Sequence, residues 1–362
     1  ASAIGIDAFA VDLLAYSGYH YDRVIMLLEA AHRVNPQFSI LLMPDMTAAF
    51  LNEPEKLKTV IQTLGAYPAA YRLSDNRLVV SPFLAENQTA AWWGTWMDTM
   101  HLRGVDVALL PVFQGWQNFA TAFAPISYGM SDWGWRSPGK QASWLGVPAQ
   151  AKAYGPIWMM PVAPQDMRPR EQRDFEAANS LEFRVMWENA INGGADWVQL
   201  ITWNDYAEHS VVAPSTGTQY AFYDLAAYYI TWFKTGTAPA ITRDVLYYFY
   251  RQHATTAPHQ QSKPFVPDAS GSDAPLDEIE LLAFLQQPGT LEIENGGVIT
   301  QHNAAAGMSA FRVPLTTGKP VFRLKRSDTV VINLPGAFEI KSTVIYQNLL
   351  YCGGSNSRAP VQ

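Results

Sequence analysis

The chain has 362 residues, a formal net charge of −7 and a charged fraction of 16%, whereas an average soluble domain has roughly 25% charged residues. This acidic, charge-poor composition disfavours a nucleic-acid partner, because such partners are bound through clustered Lys and Arg. The single cysteine, Cys352, excludes an intrachain disulfide and a Cys-based zinc site, and no apolar stretch approaches the ~20 residues of a transmembrane helix.

Short apolar runs alternate with amphipathic segments of helical period from the N-terminus to about residue 254, which predicts a parallel sheet covered by helices. The predicted strands are residues 4–11, 38–43, 78–83, 105–113, 125–130, 157–162, 197–203 and 245–250. The predicted helices are residues 21–34, 57–64, 89–102, 171–192 and 225–234. Eight such units match the size of a (β/α)8 TIM-type barrel. A doubly wound sheet is disfavoured because no Gly-rich fingerprint follows the first strand.

The composition changes after residue 254. Residues 255–275 are rich in Thr, Pro, Ser, Gln and Asp, which predicts a linker or surface crossover. Short β-type runs separated by turn signals then occur at residues 290–294, 310–313, 321–324 and 329–334. We therefore predict a catalytic barrel over residues 1–254 and a small C-terminal antiparallel β-sandwich, an accessory domain, over residues 276–362.

The most informative stretch is residues 203–209, Trp-Asn-Asp-Tyr-Ala-Glu-His, which directly follows the seventh predicted strand. A pyranose ring stacks its C–H face on an aromatic ring while its hydroxyls bond to amides and carboxylates, so this composition indicates a carbohydrate site. Two carboxylates near a glycosidic bond can divide the work, one protonating the leaving oxygen and the other activating water or attacking carbon. The structural alternative is that Asp205 caps the following turn and Glu208 lies in solvent.

Active residues of such barrels lie where the strands end, so polar and aromatic side chains there are candidates as a set. The candidates for substrate binding are Asp12, Asp45, Gln114, Trp116, Ser127, Asp132, Trp133, Trp135, Trp203, Asn204, Tyr206 and His209. The tryptophans of this set are predicted to stack on sugars, whereas those of the helix at 89–102 are predicted to pack in the core. The histidines lack H-x-x-x-H spacing, so neither a metal nor another cofactor is expected.

Residues 203–208, together with the predicted barrel, resemble the W-N-D-Y-x-E motif of glycoside hydrolase family 71, the α-1,3-glucanases also called mutanases. Residues 5–10, GIDAFA, resemble the opening strand of that family, and residues 244–251 the strand before its C-terminal domain. His209 stands where the family pattern has serine, and Asp12 where it has asparagine. Neither departure removes a catalytic group, but both change a possible sugar subsite.

The resemblance implies an inverting endo-hydrolase of α-1,3-glucan with Asp205 and Glu208 as catalytic carboxylates. We expect Glu208 to be the general acid and Asp205 to act on the water, although the spacing alone permits either role for each. Asp45 or Asp132 supplies a neighbouring charge or replaces Asp205 as the base. Arg251 is expected to pair with a barrel carboxylate or hold a sugar hydroxyl. The expected partner is an α-glucan polysaccharide or oligosaccharide, bound by a secreted monomer.

Two other functions stay open on the residues. One is a barrel hydrolase of another linkage, such as an endo-mannosidase-like enzyme, which product analysis on α-1,3-glucan and mannan would distinguish. The other is a non-catalytic carbohydrate-binding protein that keeps the groove without turnover. The presence of both Asp205 and Glu208 argues against the second alternative.

Overall fold

The computed structural model describes residues 1–48, 53–267 and 273–361 of the chain. The chain divides into two compact units, and each unit is assembled from separate segments. Unit 1 consists of Ala1–Gly134, Leu145–Pro161 and Asn192–Gln199. Unit 2 consists of Trp135–Trp144, Val162–Ile191 and Leu200–Gln362.

Helices and strands are interleaved up to residue 235, and the later elements are strands. The described strands are β1 Ala8–Leu13, β2 Ser39–Pro44, β3 Leu78–Val80, β4 Val107–Leu109, β5 Val112–Phe113, β6 Gly129–Asp132, β7 Ile157–Val162, β8 Asp166–Arg168, β9 Arg173–Phe175, β10 Trp197–Leu200, β11 Val245–Tyr250, β12 Val266–Pro267, β13 Glu278–Leu285, β14 Gly289–Asn295, β15 Val298–Ala304, β16 Gly307–Pro314, β17 Val321–Arg326, β18 Thr329–Pro335 and β19 Cys352–Ser355. The described α-helices are α1 Tyr19–Val34, α2 Pro54–Gly65, α3 Ala90–Leu102, α4 Ala120–Phe123, α5 Pro138–Gln141, α6 Val147–Lys152, α7 Leu181–Asn192 and α8 Ala221–Thr235. Among these helices, none has the length and apolar character that crossing a bilayer requires.

Unit 1 is built on parallel strands that follow one another in chain order. One sheet has the order β1-β2-β3-β4 with parallel pairing throughout. The other has the order β5-β6-β7-β10, with parallel β5–β6 and β6–β7 pairs; the last residues of β7 and β10 belong to unit 2. A parallel bridge between Phe83 and Val112 connects the two sheets. Because neighbouring strands run in the same direction, their carboxyl ends share one edge.

The helices of unit 1 pack through apolar stripes, and α2 has the clearest one. Pro54 occupies its first turn, where the missing N–H has no intrahelical partner to lose. Leu57 and Ile61, four residues apart, are both fully buried. In α3, the hydroxyl of Thr89 caps the helix by accepting a hydrogen bond of 3.1 Å from the backbone N–H of Trp92.

Antiparallel strands dominate unit 2. Its two larger sheets have the orders β16-β13-β11-β19 and β15-β14-β17-β18. They share one buried core, in which Tyr248 of the first sheet stacks on Phe322 of the second with 4.9 Å between ring centroids. A third sheet, β12-β9-β8, pairs β8 with β9 antiparallel. The four C-terminal runs predicted as strands all lie within strands of the two larger sheets.

Several predicted boundaries differ from the observed ones. The strand predicted at residues 157–162 matches β7 at both ends. The first predicted strand starts too early, because Ser2–Ile4 form a 3-10 turn and β1 begins at Ala8. The run at residues 105–113 contains two short strands, β4 and β5, rather than one. The seventh predicted strand ends at Leu200, and the peptide bond between Ile201 and Thr202 is cis.

The helix predicted over residues 171–192 is wrong in its first half. Residues 173–175 form β9, and helix α7 begins only at Leu181. The carboxylate of Glu280 accepts hydrogen bonds from the backbone N–H of Ser180 at 2.9 Å and from its hydroxyl at 3.0 Å. This buried carboxylate fixes the residue before α7, and so helps to determine where the helix starts.

The prediction that residues 245–250 form an eighth barrel strand is also wrong. These residues do form a strand, β11, but it pairs antiparallel with β13 and with β19. All six of its residues are buried, which is the pattern expected of a parallel barrel strand and misled the prediction. Here β11 is the inner strand of an antiparallel sheet, and the ring of Phe249 also lies 5.2 Å from that of Phe222 on α8.

The predicted division into residues 1–254, 255–275 and 276–362 stays a prediction about domains. The described part of the predicted linker contains β12, which pairs in parallel with β9. Residues 268–272 of that linker lie outside the described residues.

Candidate active site

Carboxyl side chains recur along the strand-end edge of unit 1. Asp12 lies near the end of β1, Asp45 directly follows β2, and Asp132 is the last residue of β6. Glu86 follows β3, within a short 3-10 turn. The parallel pairing of unit 1 therefore brings acids from several strands to the same edge.

Asp12 and Asp45 are coupled electrostatically. Burial of the carboxyl group and the negative charge of Asp45 raise the pKa of Asp12 to about 7. Asp45 is 9% exposed, and its Oδ1 accepts hydrogen bonds from the backbone N–H of Thr47 at 2.8 Å and from the Thr47 hydroxyl at 2.7 Å. Asp12 therefore keeps its proton up to near neutral pH, because a second negative charge beside Asp45 is unfavourable.

Asp132 organises loops through its carboxylate. Its Oδ2 accepts hydrogen bonds of 2.8 Å from the backbone N–H groups of Gly115 and Trp116, and its Oδ1 accepts one of 2.8 Å from Gly134. The side chain is buried, with 5% of the residue exposed. Three of the roughly four acceptor sites of this carboxylate are therefore engaged by backbone donors. These hydrogen bonds position the loops around Asp132, and its role as an alternative catalytic base stays a prediction.

Glu86 is a strand-end acid that the sequence analysis did not name. Its Oε1 accepts a hydrogen bond of 2.8 Å from the backbone N–H of Gln114. Burial raises the pKa of the Glu86 carboxyl above its ordinary range, and the charge of Asp132 contributes in the same direction. The rule that selected Asp12 and Asp45, a polar residue after a predicted strand, would have found it if applied to the third strand.

The motif of residues 203–209 lies in unit 2, where Asp205 caps the turn that carries Glu208. The Oδ1 of Asp205 accepts hydrogen bonds from the backbone N–H groups of Ala207 at 3.0 Å and Glu208 at 2.9 Å. The backbone N–H of Asp205 itself donates to the hydroxyl of Thr202 at 2.9 Å. The alternative interpretation, that Asp205 caps the following turn, is therefore correct for its Oδ1. Capping also fixes the carboxylate relative to the backbone of Glu208, as a preorganised site requires.

Glu208 is half-buried and paired, rather than free in solvent. Its Oε1 lies 3.2 Å from Nη1 of Arg168. Burial raises the pKa of Glu208 to about 7, and the positive charge of Arg168 opposes this rise while the charges of Asp166 and Asp205 support it. Glu208 is therefore a carboxyl group that can hold a proton up to neutral pH.

Arg168 connects Glu208 to a deeper carboxylate. The Nε and Nη2 atoms of Arg168 donate to the two oxygens of Asp166, each at 2.7 Å. Asp166 is 1% exposed, and Nε of the buried Arg136 lies 3.6 Å from its Oδ2. The bidentate pairing compensates much of the positive charge of Arg168 before it acts on Glu208. Residues 136, 166, 168 and 208 thus form a chain of alternating charge.

A further acid, Glu182, lies near Arg136 of this group of charged residues. Glu182 is fully buried, and its Oε1 accepts a hydrogen bond of 3.0 Å from the side-chain amide of Gln141. Burial raises the pKa of the Glu182 carboxyl well above its ordinary range, while the nearby Arg136 opposes the rise. Sequence reasoning missed Arg136, Asp166, Arg168 and Glu182 alike. The pair Asp166 and Arg168 follows the correctly predicted strand 157–162, so the strand-end rule was again a usable signal.

The candidate tryptophans differ in how much of the ring is exposed to solvent. Trp116 is only 2% exposed and packs against Trp158 with 5.1 Å between ring centroids, so the expectation that it stacks on a sugar is wrong. Trp133 is half-buried and packs on Phe83 at 4.6 Å. Trp135 is 43% exposed, with Nζ of Lys140 5.7 Å from its ring centre. Trp135 therefore keeps a ring surface for a ligand, whereas Trp116 does not.

The remaining candidates of the motif surround the two acids along the chain. Trp203 is half-buried, with 6.3 Å between its ring centroid and that of Tyr223, whereas Asn204 and Tyr206 are exposed. The Nδ1 of His209 lies 3.0 Å from the carbonyl oxygen of Met167, which ties the motif to the Asp166–Arg168 strand. The carbonyl oxygen of Glu208 also accepts a hydrogen bond of 2.9 Å from the backbone N–H of Met167. His209 therefore has a structural contact, as a lone histidine beside acids often does.

Two candidates of unit 1 are less informative. Gln114 is exposed, and its backbone rather than its side chain contacts Glu86. The hydroxyl of Ser127 is buried without a hydrogen-bond partner among the described residues. Neither observation assigns a role to these side chains.

Arg251 is buried structure rather than a substrate contact. It is 1% exposed, its Nη1 lies 3.0 Å from Glu176, and its Nη2 lies 3.1 Å from Asp174. Its Nη1 also donates to the hydroxyl of Tyr351 at 2.8 Å. The expectation that it holds a sugar hydroxyl is therefore wrong, although it does pair with carboxylates.

The chain is similar in sequence to known proteins over nearly its whole length. The chain is 22% identical to a mutanase of Penicillium rubens over 98% of its length and 83% of the relative. It is 22% identical to the glucan endo-1,3-alpha-glucosidase of Schizosaccharomyces pombe, over 98% of this chain and 88% of that one. The ascus wall endo-1,3-alpha-glucanase of the same yeast is 21% identical, over 97% and 90%.

A solved structure supports the fold independently. The GH99 endo-alpha-mannosidase of Bacteroides thetaiotaomicron matches with a TM-score of 0.54 at 17% identity, covering 64% of this chain and 80% of the other. At this identity the likeness concerns the fold alone. The model of glycosyl hydrolase family 71 matches residues 1–357. Since this match spans nearly the whole chain, the protein belongs to glycosyl hydrolase family 71.

Proposed function

We propose that the chain hydrolyses α-1,3-glucan by an inverting, endo-acting mechanism with Glu208 as general acid and Asp205 as general base. The observation that carries this proposal is that a single turn holds both acids. Asp205 caps the turn with its carboxylate, and Glu208 is a partly buried carboxyl group whose pKa is raised to about 7. The named activities of the three relatives, all mutanase or endo-1,3-alpha-glucanase, support the substrate.

The general acid must hold a proton when the substrate binds. Burial, Asp166 and Asp205 together keep Glu208 protonated up to about pH 7, because each disfavours the ionised form. Glu208 then transfers this proton to the glycosidic oxygen as the bond between that oxygen and the anomeric carbon breaks. The leaving chain departs as a neutral alcohol.

The base acts on the opposite face of the sugar. Oδ1 of Asp205 is engaged by two backbone N–H groups, which leaves Oδ2 to accept a proton from water as the water oxygen attacks the anomeric carbon. An inverting reaction requires carboxyl groups roughly 6.5–9.5 Å apart, so that the water fits beside the sugar. Each turnover leaves a proton on Asp205 and removes one from Glu208, and solvent restores both states.

We test the assignment with Asp205→Asn and Glu208→Gln. Each amide keeps the shape of the side chain but cannot exchange a proton, so we expect hydrolysis of α-1,3-glucan to fall by about 10²–10⁴-fold. Release of reducing ends measures the rate, and the anomeric proton signals of the first products give the stereochemistry. A matched control is Glu339→Gln, which changes an exposed glutamate of unit 2.

The outcomes separate the alternatives. Variants that hydrolyse as fast as the parent overturn the assignment of both acids. Retention of the anomeric configuration overturns the inverting mechanism. Faster release from mannan than from α-1,3-glucan favours the enzyme of another linkage, and binding without turnover in the parent favours the non-catalytic protein.

We further propose that the parallel strands of unit 1 belong to a (β/α)8 barrel and that the C-terminal sheets form its β-sandwich accessory domain. The fold likeness to the mannosidase over 64% of the chain supports the barrel, although β11 is not its eighth strand. We also propose secretion, supported by the ascus wall named for one relative. A crystal structure tests the first proposal, and localisation of the full-length natural protein tests the second.

A further inference from the structure

We propose that a cavity in the C-terminal part of unit 2 is a second, non-catalytic binding site for a neutral glucan chain; this inference rests on the proposed function. The cavity has a volume of about 580 Å³, within the roughly 300–1,000 Å³ of small-molecule sites. Its walls are two chain segments, residues 252–260 and 341–348. Its lining includes neither Asp205 nor Glu208.

The two walls are held together by hydrogen bonds between them. The backbone N–H of Lys341 donates to the carbonyl of Gln252 at 2.8 Å, and that of Gln260 donates to the carbonyl of Ile345 at 3.1 Å. A third such bond, from Val344 to the carbonyl of Pro258, measures 3.0 Å. Because these bonds run between groups of the protein itself, they hold the two walls in place, and binding does not have to order them.

A buried histidine fixes the inner end of the cavity. His253 is 1% exposed, and its Nε2 accepts a hydrogen bond of 2.8 Å from the backbone N–H of Asn348. The proton of the ring therefore lies on Nδ1, which donates to the carbonyl of Ala254 at 2.8 Å. With both nitrogens engaged, His253 positions the wall segment 341–348 rather than contacting a ligand.

The open side of the cavity combines an exposed apolar surface with neutral polar groups. Tyr346 is 74% exposed and Ile345 is 59% exposed, although both line the cavity. The lining also includes Gln252, Gln260 and Asn348, whose side chains carry amides; the Oδ1 of Asn348 accepts a hydrogen bond of 3.1 Å from the backbone N–H of Leu350, and its amide NH₂ remains a donor. An aromatic ring beside several amides suits a sugar, because the ring stacks on C–H groups while the amides bond to hydroxyls.

The charged residues that line the cavity favour a neutral ligand over a polyanion. None of the described residues that line the cavity is acidic, so it has no carboxyl group to cleave a glycosidic bond. Lys341 is the lysine among the described residues of this lining. One lysine on a chain of net charge −7 is a poor site for a polyanion. We therefore assign the cavity to a neutral polysaccharide, held without cleavage while the catalytic acids act on the same insoluble particle.

Removal of the exposed ring tests the site. We expect Tyr346→Ala to weaken binding to insoluble α-1,3-glucan by about 2- to 10-fold, the loss of one aromatic contact. Hydrolysis of a short soluble α-1,3-gluco-oligosaccharide should stay within about twofold of the parent, because no acid is touched. Gln260→Ala, on the other wall, should weaken binding in the same direction. The control is Tyr19→Ala, which removes a tyrosine that is 67% exposed on α1.

Depletion of the protein from solution by washed glucan particles measures binding, and thermal unfolding confirms that each variant is folded. The inference is overturned if Tyr346→Ala binds the particles as well as the parent does, or if Tyr19→Ala weakens binding as much as Tyr346→Ala. It is also overturned if the parent does not bind the particles. An equal loss of soluble-substrate hydrolysis would place Tyr346 in the catalytic site and also overturns it. If the parent binds through Tyr346 but does not cleave α-1,3-glucan, the proposed function fails and the binding site stands.

Discussion

At the scale of single residues, the pKa of Glu208 is raised first by burial and is then adjusted by neighbouring charges of opposite sign. Arg168 lies between Glu208 and Asp166, with 3.2 Å to the first and 2.7 Å to the second. Asp166 alone would raise the pKa of Glu208, and Arg168 alone would lower it. Since burial adds to the effect of Asp166, the sum favours the protonated carboxyl that a general acid requires.

Replacement of Arg168 by glutamine tests this balance. Loss of the positive charge removes the influence that lowers the pKa of Glu208, so the pKa should rise above its parental value of about 7. Activity of the parent should fall as pH rises through about 7, because Glu208 loses its proton there. In Arg168→Gln, the same alkaline fall in kcat should therefore occur at higher pH.

The measurement is kcat against pH on a soluble α-1,3-gluco-oligosaccharide, with Arg170→Gln as control, since Arg170 is exposed two residues away. An alkaline fall that moves to lower pH, or moves equally in the control, contradicts the assignment. A merely structural role for Arg168 would lower activity at every pH and leave the position of the fall unchanged.

The two proposed catalytic acids were singled out from the sequence, whereas their contact with Arg168 and Asp166 was not. Asp205 and Glu208 lie within four residues of each other in a distinctive motif at a strand end. Arg168 and Asp166 lie about forty residues earlier, on β8, and the hydrogen bond from the backbone N–H of Met167 to the carbonyl oxygen of Glu208 brings that strand to the motif. No periodicity connects positions so far apart, because the contact depends on tertiary structure.

At the scale of elements, the long helix predicted over residues 171–192 was wrong in its first half, because part of that half forms a strand that pairs with β8. Residues 173–175 bond to β8 as an antiparallel strand, and the helix begins after Ser180. The end of the helix was predicted correctly, since Gly193 and Gly194 follow Asn192 directly. Local residues therefore determined where this helix ends, whereas Glu280, a hundred residues away, helps to determine where it begins.

Glu280→Gln should destabilise the protein without changing either of the proposed catalytic acids, Asp205 and Glu208. The fully buried Glu280 accepts from Ser180 and pairs with Arg184 at 2.8 Å, and glutamine leaves that arginine without its counter-charge. Breaking a buried pair in this way costs about 3–5 kcal/mol. Urea unfolding measures the change, with Glu278→Gln of the same strand as control. An unfolding free energy within about 0.5 kcal/mol of the parent would contradict the role of Glu280.

At the scale of the whole molecule, strand β11 marks the limit of sequence interpretation. A strand that is buried on both faces is continuously apolar whether its neighbours run parallel or antiparallel. Tyr248 and Tyr250 of β11 belong to the core shared by the two larger antiparallel sheets, while Phe249 faces Phe222 of α8. The existence of the strand was therefore predictable, but its membership of a sheet was not.

Several buried carboxyl groups contribute to the pH dependence of stability, and three of them have a pKa raised to about 7. Asp12, Asp174 and Glu208 each have a pKa raised to about 7, burial being the largest cause in every case. Their pKa values in the unfolded chain are about 4. The folded state therefore binds more protons than the unfolded state between about pH 4 and 7, so the free energy of unfolding should decrease as pH rises through that range.

The temperature of unfolding, measured by calorimetry from pH 4 to 8, should accordingly fall with rising pH. Asp12→Asn removes one of the three groups and should make the fall shallower, whereas Asp98→Asn, at an exposed position of α3, should leave it unchanged. An unfolding temperature that rises from pH 4 to 7, or an equal slope in Asp12→Asn and the parent, would contradict this origin. The buried acids would thus lower stability in the neutral range, in which the proposed general acid also loses its proton.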